Sequence, residues 1–251
     1  MIMSDYHMHT TFCDGKNTPE EMVLSAINKG LKEVGVVIHS HLPFYPQGAC
    51  KGVEGEQAFA REMARVKDKY ADKISVKCGI EMDFFSPHVP ENFDYIIGSV
   101  HFFDVGDKLY PIDSSEEKFR FAISEAFGGD VYAAAENYYN NVSLVVKKHN
   151  ADIIGHIDLI TKFNEVDSMI DTANPRYVKA WKSAVDSLIP YGKPFEVNTG
   201  AISRGYRTSP YPALDIANYI KSKGGKLIMS SDSHSAENIA FQYEKWQSLI
   251  K

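Results

Sequence analysis

Seven short apolar runs punctuate this chain, and six of them end in histidine, aspartate or glutamate. The runs cover residues 4–9, 33–40, 75–83, 95–102, 152–158, 195–199 and 226–232. Most are continuously apolar inside, as in Val-Gly-Val-Val-Ile at 34–38 and Leu-Ile-Met at 227–229. Continuous hydrophobicity is what a parallel strand needs when both its faces are covered. Amphipathic stretches with helical spacing fill most of the intervals, so the rhythm is strand, turn, helix, repeated. An α/β fold built on parallel strands follows. Periodicity alone leaves a closed barrel and an open sheet as alternatives.

The first helix has a clear start. Thr18-Pro19-Glu20-Glu21 places an N-cap threonine, a proline at the first helical position and a glutamate at the capping-box position. That helix is expected to run to about Lys29, where Gly30 stops it. Helical patterns also cover 54–72, 116–149 with a break near Gly128-Gly129, and a stretch opened by Asn174-Pro175 and ended near Pro190. Two more cover 212–223 and 236–251, while residues 103–115 read as a loop near the site.

A length of 251 residues with 44% hydrophobic and 24% charged side chains suits one soluble domain spanning 1–251. No apolar run reaches eighteen residues, which excludes a membrane-spanning helix. The first nine residues carry Asp5 and no basic-then-apolar stretch, against a signal peptide. Cys13, Cys50 and Cys78 are scattered and odd in number, the pattern of reduced thiols in a cytoplasmic protein. The net charge of −6 disfavours nucleic acid and anionic membranes as partners. An anionic small molecule would need local cations, which bound metal ions would supply.

The polar ends of the runs are the chemical signal: His7-Met-His9, His39-Ser-His41, Glu81-Met-Asp83, His101, His156-Ile-Asp158 and Asp232-Ser-His234. In a parallel β/α fold all these ends lie on one face, where ligands bind. Residues i and i+2 of a strand point to the same side, so His7 and His9 can grip one ion. Glu81 can bridge two metals about 4 Å apart, as a single imidazole nitrogen does not. Taken singly, each feature has an ordinary explanation: a chance His-x-His pair, a hydrogen-bonded core histidine, or an N-cap for Asp232. Together they would bury many ionisable groups with nothing basic nearby in sequence, which is costly without cations. His88 and His149 lie off the strand ends and are expected at the surface. His41 is left open as a ligand or a bystander.

These residues resemble the polymerase-and-histidinol-phosphatase (PHP) superfamily, whose motifs recur here in order over the whole chain. They are His7-x-His9 followed by Asp14-Gly15, then Gly-x-Glu81, Gly98-Ser-Val-His101, Gly155-His156 and Ser-Asp232-x-His234. Gly155-His-Ile-Asp158, Glu196-Val-Asn-Thr-Gly200, Arg204-Gly-Tyr-Arg207 and Pro210-Tyr-Pro212 resemble its histidinol-phosphate phosphatase branch. The resemblance implies a distorted, TIM-like (β/α)7 barrel holding two or three divalent ions, zinc first, with iron or manganese as alternatives. Carried onto this chain, His7, His9, Glu81 and Asp232 would hold the first ion, and Glu81, His101 and His156 the second. His39 and His234 would hold a third, with Asp14 as a helper. His39 is preferred to His41 because His39-Ser-His-Leu-Pro43 fits the family's His-x-x-Leu-Pro ending. Two departures stand out: the branch often has a histidine where this chain offers Asp14, and Ile38 precedes His39 in place of an acidic residue.

The activity so implied is phosphomonoester hydrolysis, with histidinol phosphate as substrate and phosphotyrosine or another phosphate ester as the alternative. Glu81 and Asp232 are the candidate catalytic groups, Asp232 or a water it orders serving the leaving alkoxide. Lys162, Arg204 and Arg207 are candidate phosphate ligands, and Glu196 faces the substrate amine or is structural. An exonuclease-like phosphodiesterase is disfavoured by the acidic charge. A metal-dependent amidohydrolase would normally carry a bridging lysine on a mid-barrel strand, absent here, and a relic binding module would lack ligands. Oligomeric state is not encoded in these features.

Overall fold

The structure is a computed structural model and describes residues 3–45, 51–88 and 90–251; Cys50 lies outside them. Seven strands form one parallel sheet: β1 (Ser4–Asp5), β2 (Glu33–His39), β3 (Ser75–Asp83) and β4 (Tyr95–Ser99), then β7 (Ile153–Ile154), β8 (Phe195–Asn198) and β9 (Leu227–Ser230), in that spatial order. Between β4 and β7 the chain makes an antiparallel hairpin, β5 (Phe102–Val105) and β6 (Lys108–Pro111). The sheet curls until its two ends meet. Met8 bridges Ser233 in parallel, His9 N donates to Ser233 O at 2.8 Å and Ser233 N to His7 O at 3.1 Å. That contact decides for a nearly closed barrel over an open sheet.

The long central strands form where the sequence is most apolar. Val34, Val36, Val37 and Ile38 of β2 and Ile80 and Met82 of β3 are fully buried, as parallel strands covered on both faces must be. Their register pairs His39 with Glu81, so two polar ends arrive side by side. Strands β1 and β7 are shorter than their apolar runs, because the chain leaves the ladder as it enters the polar face. After β7, for example, Leu159–Thr161 closes a 3-10 turn.

Helix α1 (Pro19–Asn28) begins with the expected capping box: Glu21 N donates to Thr18 Oγ1 at 3.3 Å and Thr18 N to Glu21 Oε2 at 2.8 Å. Helix α2 is Gly52–Lys69. The stretch 116–149 divides into α3 (Glu116–Phe127), α4 (Val131–Val142) and α5 (Val145–His149). The first break falls at the left-handed Gly128 and Gly129, as expected; a second, at Ser143–Leu144, was not anticipated. Then come α6 (Pro175–Leu188), capped by Asn174, α7 (Gly200–Ser203) and α8 (Leu214–Ser222).

Two expectations are corrected. Residues 103–115 are not all loop, because the aromatic-rich Phe-Phe-Asp-Val and Lys-Leu-Tyr-Pro flank Gly106, whose φ of 62° allows a tight hairpin turn. The segment 236–251 is not one helix but short turns around α9 (Tyr243–Trp246). Ala240 and Gln242 there adopt positive φ of 53°, and Ala240 N is pinned to buried Asp5 Oδ2 at 3.1 Å. No described helix is long and apolar enough to cross a membrane.

Candidate metal centre

Glu81, at the polar end of β3, is the hub of the barrel's mouth. Its Oε2 lies 3.4 Å from His7 Nε2, 3.2 Å from His9 Nε2 and 3.0 Å from His39 Nδ1. Its other oxygen, Oε1, lies 2.9 Å from His156 Nε2 and 3.3 Å from His101 Nε2. The carboxylate thus faces two different sets of imidazoles with its two oxygens. His7 and His9 are both fully buried and share a side, their Nε2 atoms 3.0 Å apart.

Asp232 follows β9 with φ 46°, a left-handed conformation that aspartate tolerates better than most residues. This turn brings Oδ1 to 3.7 Å from His7 Nε2 and 3.6 Å from His9 Nε2. Gly200 makes room for it, since a Cβ there would lie 2.8 Å from both Asp232 Cβ and Oδ2. A third group forms at the outer edge. Asp14 Oδ1 lies 3.4 Å from His39 Nε2 and 3.9 Å from His9 Nδ1, and its Oδ2 lies 3.3 Å from His234 Nε2. Gly15 lets this loop press on the strand end, because a Cβ would meet the His9 carbonyl carbon at 2.5 Å.

Three sets of donor atoms therefore converge, each within 4.8 Å: His7, His9 and Asp232; Glu81, His101 and His156; and His9, Asp14, His39 and His234. These are the residues expected from the sequence, with two differences: Glu81 falls in the second set and not also in the first, and His9 also borders the third. His41 joins none of them. Nor do His88 and His149, which are half-buried rather than exposed: His88 Nε2 lies 2.8 Å from Glu56 Oε2, and His149 Nε2 lies 3.1 Å from Phe84 O.

The electrostatics are those of a site waiting for cations. Burial opposes ionisation of Glu81 and Asp232, yet neighbouring positive groups hold both carboxyls well below their usual range. For Glu81 these are His7, His39 and His101; for Asp232, Arg204, His7 and His234. Burial also disfavours charge on His7, His39 and His101, but the surrounding carboxylates outweigh it and raise all three, His101 to about 10. His9, buried between His39 and His234, falls to about 3 and is neutral. Protons thus balance the carboxylates where metal ions would otherwise do so.

A second layer holds the imidazoles. Glu196 Oε1 lies 2.7 Å from His7 Nδ1, and its Oε2 accepts from His156 N at 3.1 Å and Asn198 Nδ2 at 3.2 Å. Glu196 therefore stands behind His7 and does not line the cavity; of its two expected roles the geometry fits the structural one and corrects the placement beside the substrate. Asp83, unassigned in the sequence reading, accepts from His101 N and lies 3.0 Å from its Nδ1. Its signal was present, two residues after Glu81 on the same strand face. Such carboxylate partners fix the orientation of liganding histidines.

Above the donors lies a cavity of about 310 Å³ lined by Arg204, Lys162, Asp113, Tyr45, Phe102 and Tyr206, among others. Arg204 donates to Asp232 O at 2.8 Å and Oδ2 at 3.0 Å, leaving the guanidinium beside the donor cluster. Lys162 Nζ donates to Asp113 O at 2.8 Å. Arg207 differs from the sequence reading. It is buried outside the cavity lining, 3.8 Å from Asp158 Oδ2 and stacked 4.4 Å from the Tyr211 ring centroid, and it bonds Thr161 Oγ1. Burial raises the Asp158 carboxyl, and Arg207 counters that. Cys13 and Cys78 are free thiols.

Residues 5–200 match the PHP domain family. The histidinol-phosphatase of Lactococcus lactis is 28% identical over 98% of this chain and 90% of its own length. A crystal structure of the L. lactis histidinol phosphate phosphatase, complexed with zinc, L-histidinol and phosphate, superposes with a TM-score of 0.75 at 24% identity, covering 99% of this chain and 92% of that one. The structure of HisK from Listeria monocytogenes, a proposed histidinol phosphatase, gives 0.86 at 22% identity, covering 97% and 99%. At these identities the two structures establish a shared fold, and together with the family match the conclusion is direct: this chain belongs to the PHP domain family.

Proposed function

We propose that this protein is a metal-dependent phosphomonoesterase that hydrolyses L-histidinol phosphate to L-histidinol and phosphate, a step of histidine biosynthesis, in the cytoplasm. The observation that carries this reading is the division of Glu81 between two sets of imidazoles beneath a cavity edged by Arg204 and Lys162. The donor set fits divalent ions. Glu81 Oε2 and His156 Nδ1 are buried without a hydrogen-bond partner among the described residues, and imidazole with carboxylate is the ligand set of zinc, manganese or iron.

His7, His9, Glu81 and Asp232 would hold one ion and Glu81, His101 and His156 a second. His39, His234 and Asp14, with His9 alongside, would hold a third. Bound there, such ions neutralise phosphoryl oxygens and lower the pKa of a coordinated water. Zinc is favoured by the L. lactis neighbour, whose complex holds zinc, L-histidinol and phosphate. The chain's own residues do the rest. Arg204, whose two terminal nitrogens bond Asp232, lines the cavity and would set its positive charge beside the phosphate oxygens. Lys162 adds a point charge from the neighbouring loop, the one that follows β7. Asp232 is ionised and accepts from Arg204, so it orders a water for the departing alkoxide and does not itself donate the proton.

The test is turnover of zinc- or manganese-reconstituted protein on a panel of phosphate esters. Histidinol phosphate should lead by at least about tenfold in kcat/KM, equivalent to roughly 1.4 kcal/mol of selective transition-state binding. A lead for tyrosine phosphate would replace the substrate assignment and keep the phosphatase. No turnover of any monoester by metal-loaded protein would overturn both.

A further inference from the structure

Of the carboxylates lining the cavity, Asp14, Glu81 and Asp232 belong to the candidate ligand sets, and Asp83 is committed to His101. Asp113 belongs to neither group. The β5–β6 hairpin carries it there, since Ile112 N donates to His101 O at 2.9 Å and turns the chain back alongside the donor cluster. Its side chain is 31% exposed, and the cavity it lines also has Tyr45, Phe102 and Tyr206 in its wall. Among the described residues its only close cation is Lys162, 3.4 Å from Oδ2, and the shorter bond of that ammonium goes to the Asp113 carbonyl at 2.8 Å. Burial opposes its charge, and the Lys162 ammonium beside it offsets that.

A negative carboxylate is out of place in a cavity built for a phosphate dianion, because like charges a few ångströms apart repel strongly where water is scarce. It fits if the other end of the ester is positive. We propose that Asp113 is a specificity-determining residue that receives the ammonium group of an amino-alcohol phosphate, while the aromatic side chains of the same cavity wall stack on the flat imidazole ring of the substrate. This inference rests on the function proposed above and extends it to the residue that recognises the amine. Nothing in the sequence marked Asp113, which lies in the stretch read as loop. A competing role is purely local: Asp113 holding Lys162 in place for phosphate, which would matter equally for every ester.

The two roles separate when histidinol phosphate is compared with its deamino analogue on zinc-reconstituted protein. Wild type should prefer the amine-bearing ester by about ten- to a hundredfold in kcat/KM, the range for a hydrogen bond to a charged group. In Asp113→Asn at matched metal content that preference should collapse toward unity, and Asp113→Glu should restore most of it. Equal losses on both esters would overturn the proposal in favour of the Lys162 role. A second readout avoids dependence on variant folding: histidinol should inhibit the wild-type protein more strongly than its deamino analogue, and equal inhibition overturns the assignment. Failure of wild type to turn over histidinol phosphate would instead overturn the underlying function. Turnover of both esters at equal rates removes the role of Asp113 alone.

Discussion

Glu196 Oε1 lies 2.7 Å from His7 Nδ1, and both side chains are completely buried. The contact gives Nδ1 of His7 a carboxylate partner and leaves Nε2 to face Glu81 and Asp232. Loss of such a carboxylate partner weakens metal binding by about 10- to 100-fold. Glu196→Ala should therefore release metal more readily in competition with a chromophoric chelator. Glu196→Gln, which can still accept a hydrogen bond, should fall between. Wild-type affinity in Glu196→Ala would show that His7 needs no such support.

Glu81→Gln removes the charge shared by two imidazole sets while keeping the shape of the side chain. Turnover should drop by at least about 10³-fold, the order seen when a central electrostatic element is lost. Metal content should fall with it, and circular dichroism should be unchanged. More than a tenth of wild-type kcat with full metal content would refute the bridging role.

The basic residues should divide by position. Arg204→Ala and Lys162→Ala should lower kcat/KM on phosphate esters by about 10- to 10³-fold, since each lines the cavity. Arg207→Ala should act on stability, because it removes the guanidinium that offsets the burial of Asp158, whose Oδ2 then keeps the Ala213 N–H at 2.9 Å; the order is about 1–3 kcal/mol. Denaturant unfolding and steady-state kinetics on the same samples separate the two effects. A catalytic defect in Arg207→Ala with unaltered unfolding would place its guanidinium in the cavity after all.

Purified without chelator and then reconstituted, the protein should carry two to three equivalents of divalent metal by elemental analysis. One equivalent or fewer would rule out a multinuclear centre. Loading should also release protons. In the metal-free chain His7, His39 and His101 are raised and so protonated at pH 7–8, His101 to about 10. A metal must displace these protons, so affinity should strengthen as pH rises toward 9. Calorimetry in buffers of different ionisation enthalpy measures the release, and a pH-independent affinity over that range would contradict it.

Much of this site was legible before any coordinates because it sits at strand ends. An apolar run predicts a buried parallel strand, and the fold class then carries every polar C-terminal end to one face. His7, His9, His39, Glu81, His101, His156, Asp232 and His234 needed no more than that to be grouped, with family resemblance adding Asp14 and the choice of His39 over His41. The 18–21 capping box was equally plain, because a cap is a contact between residues three apart.

Other features depend on contacts that local sequence does not encode. Closure of the barrel rests on Met8 meeting Ser233, more than two hundred residues away. Arg204 and Arg207, three residues apart on one loop, look interchangeable in sequence; buried Asp158 draws one away while Asp232 holds the other at the cavity. Glu196 reads equally as a substrate ligand or a structural acid until it is found behind His7. By itself the sequence determined which side chains gather at the barrel mouth, because strand direction and periodicity are local properties of the chain. Tertiary structure alone decided which of them face the cavity and which stand behind, because a charged side chain turns toward whichever distant partner compensates its burial.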